Sequence, residues 1–136
     1  MIVVDTNTIA YLYLPTENSG RVEELLKVDP IWTAPFLWRS ELRNILCLYL
    51  RKELLDFETA ASIQNQAESL LRNNEYGVNS VAVLSLAQAS NCSAYDCEFV
   101  YLAKALNTKL ITADKKLIKA FPDIAMRADE YIASLS

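Results

Sequence analysis

The stretch Met1-Ile2-Val3-Val4-Asp5-Thr6-Asn7-Thr8 decides the fold. A short β-branched run, too brief for a helix, ends abruptly in a polar group. It reads as a central parallel strand buried on both faces, since a half-buried strand would alternate apolar and polar residues. Asp5 then stands at the strand's carboxyl end. Open parallel sheets gather ligands beyond these ends, above all where strand order reverses.

Working outward, Ile31 to Ala34 predicts a second strand, Tyr76 to Asn79 a weak third, Lys109 to Thr112 a fourth, and Ile124 to Arg127 an edge strand. Helices are predicted from Ile9 to Leu14, from a cap at Asn18 or Ser19 to Lys27, and from a first turn at Pro35 to Lys52. Asp56 is expected to cap a helix to Arg72, with Ala60, Ile63, Ala67, Leu70 and Leu71 inward. Further helices follow at Val81 to Ala89, from Ser93, at Lys115 to Ala120, and from about Asp129. Strands alternating with helices predict an α/β domain of three layers, with a mainly parallel central sheet spanning residues 1–136.

The chain has 136 residues, 52% of them apolar, with two glycines and four prolines, a composition that suits a compact fold with long helices. No basic segment precedes the first apolar run, so no secretory signal is expected. No stretch approaches the roughly 20 apolar residues that span a bilayer, so a cytoplasmic location without membrane contact is expected. Cys47, Cys92 and Cys97 lack zinc or redox spacing and read as thiols in a reducing compartment. The net charge of −4 argues against a broad basic surface that coats nucleic acid. It leaves room for an enzyme touching a few phosphates with the help of divalent ions. Histidine is absent, which removes histidine triads, histidine-ligated zinc and an imidazole base.

Four carboxylates stand out. Asp5 and Asp114 each follow a predicted strand and share a rim if those strands are neighbours. Glu41 interrupts an apolar helical stripe of Trp38, Ile45 and Leu48. Asp96 does the same between Cys92 and the group Phe99, Val100 and Ala103. A carboxylate on a buried face is costly unless paired or metal-bound. One such acid alone is most simply a cap, or a partner of Arg39 or Arg43. Four together are better explained by a shared hard cation, Mg2+ or Mn2+, held by oxygen ligands. Such ions activate water and stabilise the charge that develops on a phosphodiester. Thr6, Asn7 and Thr112 are supporting candidates that would orient the acids. Arg43, Lys115, Lys116 and Lys119 are candidate RNA contacts, and Glu98 is expected outside the first ring of ligands.

These residues resemble the landmarks of the PIN-domain nucleases, most closely the VapC-like ribonuclease toxins of type II toxin–antitoxin systems. Ile2-Val3-Val4-Asp5-Thr6-Asn7 resembles the first acidic motif, and Ser40-Glu41-Leu42 the second. The segments from Ala94 to Ala103 and from Leu110 to Leu117 resemble the third and fourth. The resemblance implies a PIN-like α/β/α domain in which Asp5, Glu41, Asp96 and Asp114 are catalytic and metal-binding. It also implies cleavage of RNA, with tRNA and ribosomal RNA both open, a homodimer, and a cognate antitoxin. For the dimer, Trp32, Phe36, Trp38, Tyr49 and Phe57 are the candidate contact residues. The alternatives are a housekeeping RNA-processing nuclease, a haloacid-dehalogenase-like phosphatase using Asp5, Thr112 and Lys115, and a non-enzymatic scaffold.

Overall fold

The computed structural model describes residues 1–136. The opening run forms β1 (Ile2–Val4), whose three side chains are wholly enclosed. Two helices, α1 (Thr6–Tyr13) and α2 (Ser19–Val28), lead to β2 (Trp32–Pro35). Then come α3 (Leu37–Arg51), α4 (Phe57–Leu70) and the short β3 (Glu75–Tyr76). The second half contains α5 (Ser80–Ser90), α6 (Ala94–Ala105), β4 (Leu110–Ile111), α7 (Lys115–Ala120), β5 (Ala125–Met126) and α8 (Ala128–Ser134).

The strands form one sheet in the order β3-β2-β1-β4-β5, and every neighbouring pair is parallel. The sheet is therefore parallel throughout, flanked by helices in a three-layer α/β/α arrangement, as the alternation of strands and helices predicts. From β1 the chain proceeds to β2 and β3 on one side, then returns past β1 to add β4 and β5 on the other. The reversal lies between β1 and β4. Right-handed crossovers put α3 in one helical layer and α6 in the other, because the two connections run in opposite directions across the sheet. Both helices border the rim at this reversal.

Asp56 caps α4, accepting a hydrogen bond from the Thr59 N–H at 2.7 Å, and Ser93 caps α6, accepting from the Asp96 N–H at 3.0 Å. Within α4, Ala60, Ile63 and Ala67 are buried as predicted. Three expectations need correcting. Pro35 ends β2 instead of entering α3; the N–H groups of Ala34 and Phe36 carry the ladder to β3, so proline's missing donor falls between rungs. On α3 the core-facing stripe is Trp38, Leu42 and Leu46, while Leu48 is 45% exposed. Trp32 and Trp38 are fully buried and supply no contact to a second copy, whereas Phe36 and Phe57 remain exposed.

Arg39 fastens the helical pair to the sheet's far edge. Its Nε and Nη2 donate to the two Glu75 oxygens at 2.6 and 2.7 Å, and its Nη1 to Glu68 at 2.9 Å. Trp38 Nε1 donates to the same Glu75 at 2.8 Å. The start of α3 thereby meets the end of α4, which makes the pair antiparallel.

Candidate functional site

Asp5 leaves β1 directly and caps α1. Its Oδ1 accepts the Thr8 N–H at 2.9 Å and the Thr8 hydroxyl at 2.6 Å. Val4 pairs with Ile111 across the β1–β4 ladder, so the next residues, Asp5 and Thr112, face each other at the sheet's end. The Thr112 hydroxyl donates to Asp5 Oδ2 at 2.5 Å and accepts the Asp114 N–H at 3.0 Å. Asp114 in turn caps α7, its Oδ1 receiving the N–H groups of Lys116 at 2.8 Å and Leu117 at 3.3 Å. One buried threonine thus ties together the two strand-end acids.

Glu41 lies on the stripe Leu37, Glu41, Ile45, next to the core stripe of α3 and not within it. The Thr6 hydroxyl holds its Oε1 at 2.7 Å. Asp96, in the first turn of α6, comes from the opposite layer. Asp5, Glu41, Asp96 and Asp114 all line one cleft of about 420 Å3, together with Thr6 and Asn7. It opens at the strand-order reversal, where such clefts are expected.

None of the four acids belongs to an ion pair. Arg39 is engaged by Glu68 and Glu75, and Arg43 reaches only Ser40 Oγ, at 3.4 Å. Burial raises the Asp5 carboxyl above its ordinary range, opposed by the hydrogen bonds from Thr112 and Thr8 and aided by the charge of Asp96. Burial likewise raises Glu41, with Asp96, Asp5 and Glu98 adding repulsion against the relief from Thr6. Asp96 is raised first by burial; the Ser93 bond offsets this, the Asp114 charge adds to it, and Lys116 opposes it. The acids therefore feel one another's charge.

A PIN-domain family model matches residues 2–122. The chain belongs to the PIN-domain family. It is 28% identical over 124 residues to "Ribonuclease VapC3" of Pyrobaculum aerophilum, covering 89% of this chain and 95% of that protein. The crystal structure of PAE2754 from Pyrobaculum aerophilum superposes with a TM-score of 0.78 at 18% identity, covering 98% of this chain and 88% of the other. FitAcB from Neisseria gonorrhoeae superposes with a TM-score of 0.74 at 18% identity, covering 94% and 98%. These likenesses agree with the PIN fold seen here.

No three Asp, Glu, His or Cys side chains of this PIN domain converge as a closed metal cage. The acids instead point to local hydroxyl and N–H donors around an open cleft. An all-oxygen set of this kind suits Mg2+ or Mn2+, since magnesium typically keeps several waters and uses one or two carboxylates plus substrate phosphate. Of the remaining predicted residues, Asn7 lines the cleft and is exposed. Lys115 lines a neighbouring cleft with Thr8, Thr112, Arg21 and Arg127, while Lys116 touches the site through its charge. Arg43 lines neither cleft. The sequence reading missed Thr8, although a threonine three residues after a capping Asp is a recognisable signal. It also missed Leu37, Ser40, Asn44, Ile45, Tyr95 and Phe99, which complete the lining.

Proposed function

We propose that this PIN domain is a metal-dependent endoribonuclease acting as the toxin of a type II toxin–antitoxin pair, with residues 1–136 forming one catalytic unit. The observation that carries the reading is the meeting of four carboxylates, none ion-paired, in one cleft at the strand-order reversal. A phosphodiester is repelled by such a surface unless a cation intervenes. Mg2+ or Mn2+, when bound there, would supply Lewis-acid charge for the phosphoryl oxygens and make water more acidic. Asp5, Glu41, Asp96 and Asp114 are the residues that would hold it. Thr8 and Thr112 fix Asp5, Thr6 fixes Glu41, and Asn7 offers a neutral amide beside them.

The toxin assignment draws support from the relative named as a ribonuclease and from the likeness to "Toxin-antitoxin complex from Klebsiella pneumoniae", TM-score 0.66 at 14% identity. In this reading a homodimer is silenced by an antitoxin that covers the acidic cleft, and the substrate is structured RNA such as tRNA or ribosomal RNA. Arg43, Lys115 and Lys116 are the proposed phosphate contacts. The phosphatase alternative gives no work to Glu41 and Asp96, which here share the cleft with Asp5.

The test is digestion of a total RNA pool with Mg2+ or Mn2+, comparing the natural chain with Asp5→Asn and Asp96→Asn. Discrete cuts that vanish in both variants and in chelator are expected. Equal cleavage by all three proteins, or release of phosphate from small monoesters without internal cutting, would sink the reading.

A further inference from the structure

The acids occupy only part of their cleft. Leu37, Ser40, Asn44 and Ile45 of α3 line the rest, with Tyr95 and Phe99 of α6. On α3, Leu37, Glu41 and Ile45 are successive turns of one stripe, with Ser40 and Asn44 beside them. Glu41 is therefore the one charge on an otherwise neutral wall. On α6, Tyr95 and Phe99 are also one turn apart, and Tyr95 directly precedes Asp96. Phe99 is 3% exposed and forms part of the floor. Tyr95 is 64% exposed, so its ring stands largely clear of the core at the cleft's edge. A large aromatic in that place contributes little to folding through burial, and the nearest function on offer is that of the cleft itself.

We propose that this neutral half of the cleft holds one unpaired nucleobase of the RNA, next to the phosphate addressed by the acids, with the base stacked on Tyr95 and its edge facing the Asn44 amide. The inference rests on the ribonuclease reading above and names the form of RNA taken. Every nucleobase has a π-face, so aromatic stacking gives affinity with little sequence demand. A side-chain amide adds donor and acceptor groups suited to a base edge. A base inside a duplex is already stacked and paired, so the site takes single-stranded segments such as loops. In a protein of net charge −4, base stacking also supplies affinity that a broad basic surface would give elsewhere.

The test uses a short fluorescent single-stranded RNA and the same chain length built from abasic nucleotides, with binding measured by anisotropy in Ca2+ and cleavage in Mg2+. Tyr95→Ala is expected to weaken binding of the base-bearing RNA, and to lower kcat/KM, by about 5- to 160-fold, the range of one lost base–aromatic stack. Tyr95→Phe and Tyr95→Trp should retain both. All of these proteins should bind the abasic chain equally weakly, and the thermal shift caused by Mg2+ should be unchanged by Tyr95→Ala. Unaltered RNA affinity in Tyr95→Ala overturns the proposal, as does an equal loss on the abasic chain. Unaltered affinity with a dimer converted to monomer in sedimentation would assign the ring to a contact between copies. If Tyr95→Ala behaves as the natural chain while Asp96→Asn loses all cutting, the base site fails and the nuclease reading stands. If RNA binds through Tyr95 but is never cut, the nuclease reading fails and the base site stands.

Discussion

Thr112→Val keeps the branching and size of a side chain that is 1% exposed, and removes only its hydroxyl. That hydroxyl is the donor to Asp5 Oδ2 and the acceptor of the Asp114 N–H. A hydrogen bond to a charged group contributes about 1.5–3 kcal/mol and a neutral one about 1 kcal/mol, so the loss should total about 3 kcal/mol at neutral pH. At about 2.1 cal/mol/K of unfolding entropy per residue, 136 residues give about 0.29 kcal/mol/K, and the midpoint should fall by about 10 °C. The pH dependence identifies the cause. Burial holds the Asp5 carboxyl in the folded chain above its ordinary value of 3.8, so its ionisation opposes folding. That cost is full above the folded value and fades as pH falls toward 3.8. Removing Thr112 raises the folded value further, so the deficit should be larger at neutral pH than near pH 3.8. In an Asp5→Asn background, where both bonds of the hydroxyl are neutral, the deficit should shrink to about 2 kcal/mol. Calorimetry of the four proteins in chelator, at both pH values, measures these quantities. Equal deficits with Asp or Asn at position 5 would refute the account, as would a deficit that grows on acidification.

Adding Mg2+ or Mn2+ at about 10 to 100 times its dissociation constant should stabilise the natural chain by about 1.4–2.7 kcal/mol, or about 5–9 °C, measured by thermal shift; an equal rise in Asp96→Asn would dissociate the effect from the acids. In chelator, Asp96→Asn should instead melt above the natural chain, because it removes a carboxylate that burial and Asp114 both disfavour. Glu75→Gln should cost about 2 kcal/mol at pH 7, a figure kept modest because the Arg39 side chain is 34% open to water. The Glu75 carboxyl is held below its ordinary value of 4.5 by Arg39, so its contribution is complete above 4.5 and disappears as pH falls through the lower folded value. Urea titrations that show the same deficit at low pH would contradict that pairing. Sedimentation should report a dimer at micromolar concentration, and a monomer across the range would remove the dimer from the proposed function.

Much of the cleft could be read in advance because β strands end where their apolar runs end. Asp5 after Val4, and Thr112 and Asp114 after Ile111, follow from the apolar runs of the strands and the habit of parallel sheets. The rotation of α3 could not be read in the same way. Leu37, Glu41 and Ile45 form one stripe, and Trp38, Leu42 and Leu46 the next, so periodicity alone does not say which one faces the sheet. The structure resolves this by burying the Trp38 stripe, which turns Glu41 toward the rim. Trp32 and Trp38 were open to a surface reading because nothing local distinguishes an interface tryptophan from a core one. The Arg39–Glu75 pair joins residues 36 positions apart, a relation that exists only after β3 docks on β2. Tyr95 was visible within its motif, yet its placement at a cleft edge depends on the layer opposite.

The choice of donors around the acids has a further consequence for how such a cleft works. Asp5 and Glu41 are held by the hydroxyls of Thr6, Thr8 and Thr112, and no Arg or Lys is paired with them. A guanidinium would hold a carboxylate more strongly, but it would also cancel the charge that attracts a cation. A hydroxyl donates one hydrogen bond, fixes the rotamer and leaves the full negative charge in place. Burial first, and the repulsion among the acids second, hold the carboxyls of Asp5, Glu41 and Asp96 above their ordinary range, a cost borne by the fold. Replacing the exposed, cleft-lining Asn7 with Lys should therefore raise stability without metal and lower affinity for Mg2+, whereas Thr6→Ser should keep both near their natural values. Calorimetry in chelator and a Mg2+ titration separate the two effects. A Lys variant that binds Mg2+ as tightly as the natural chain would show that the charge of the cleft is not what these threonines preserve.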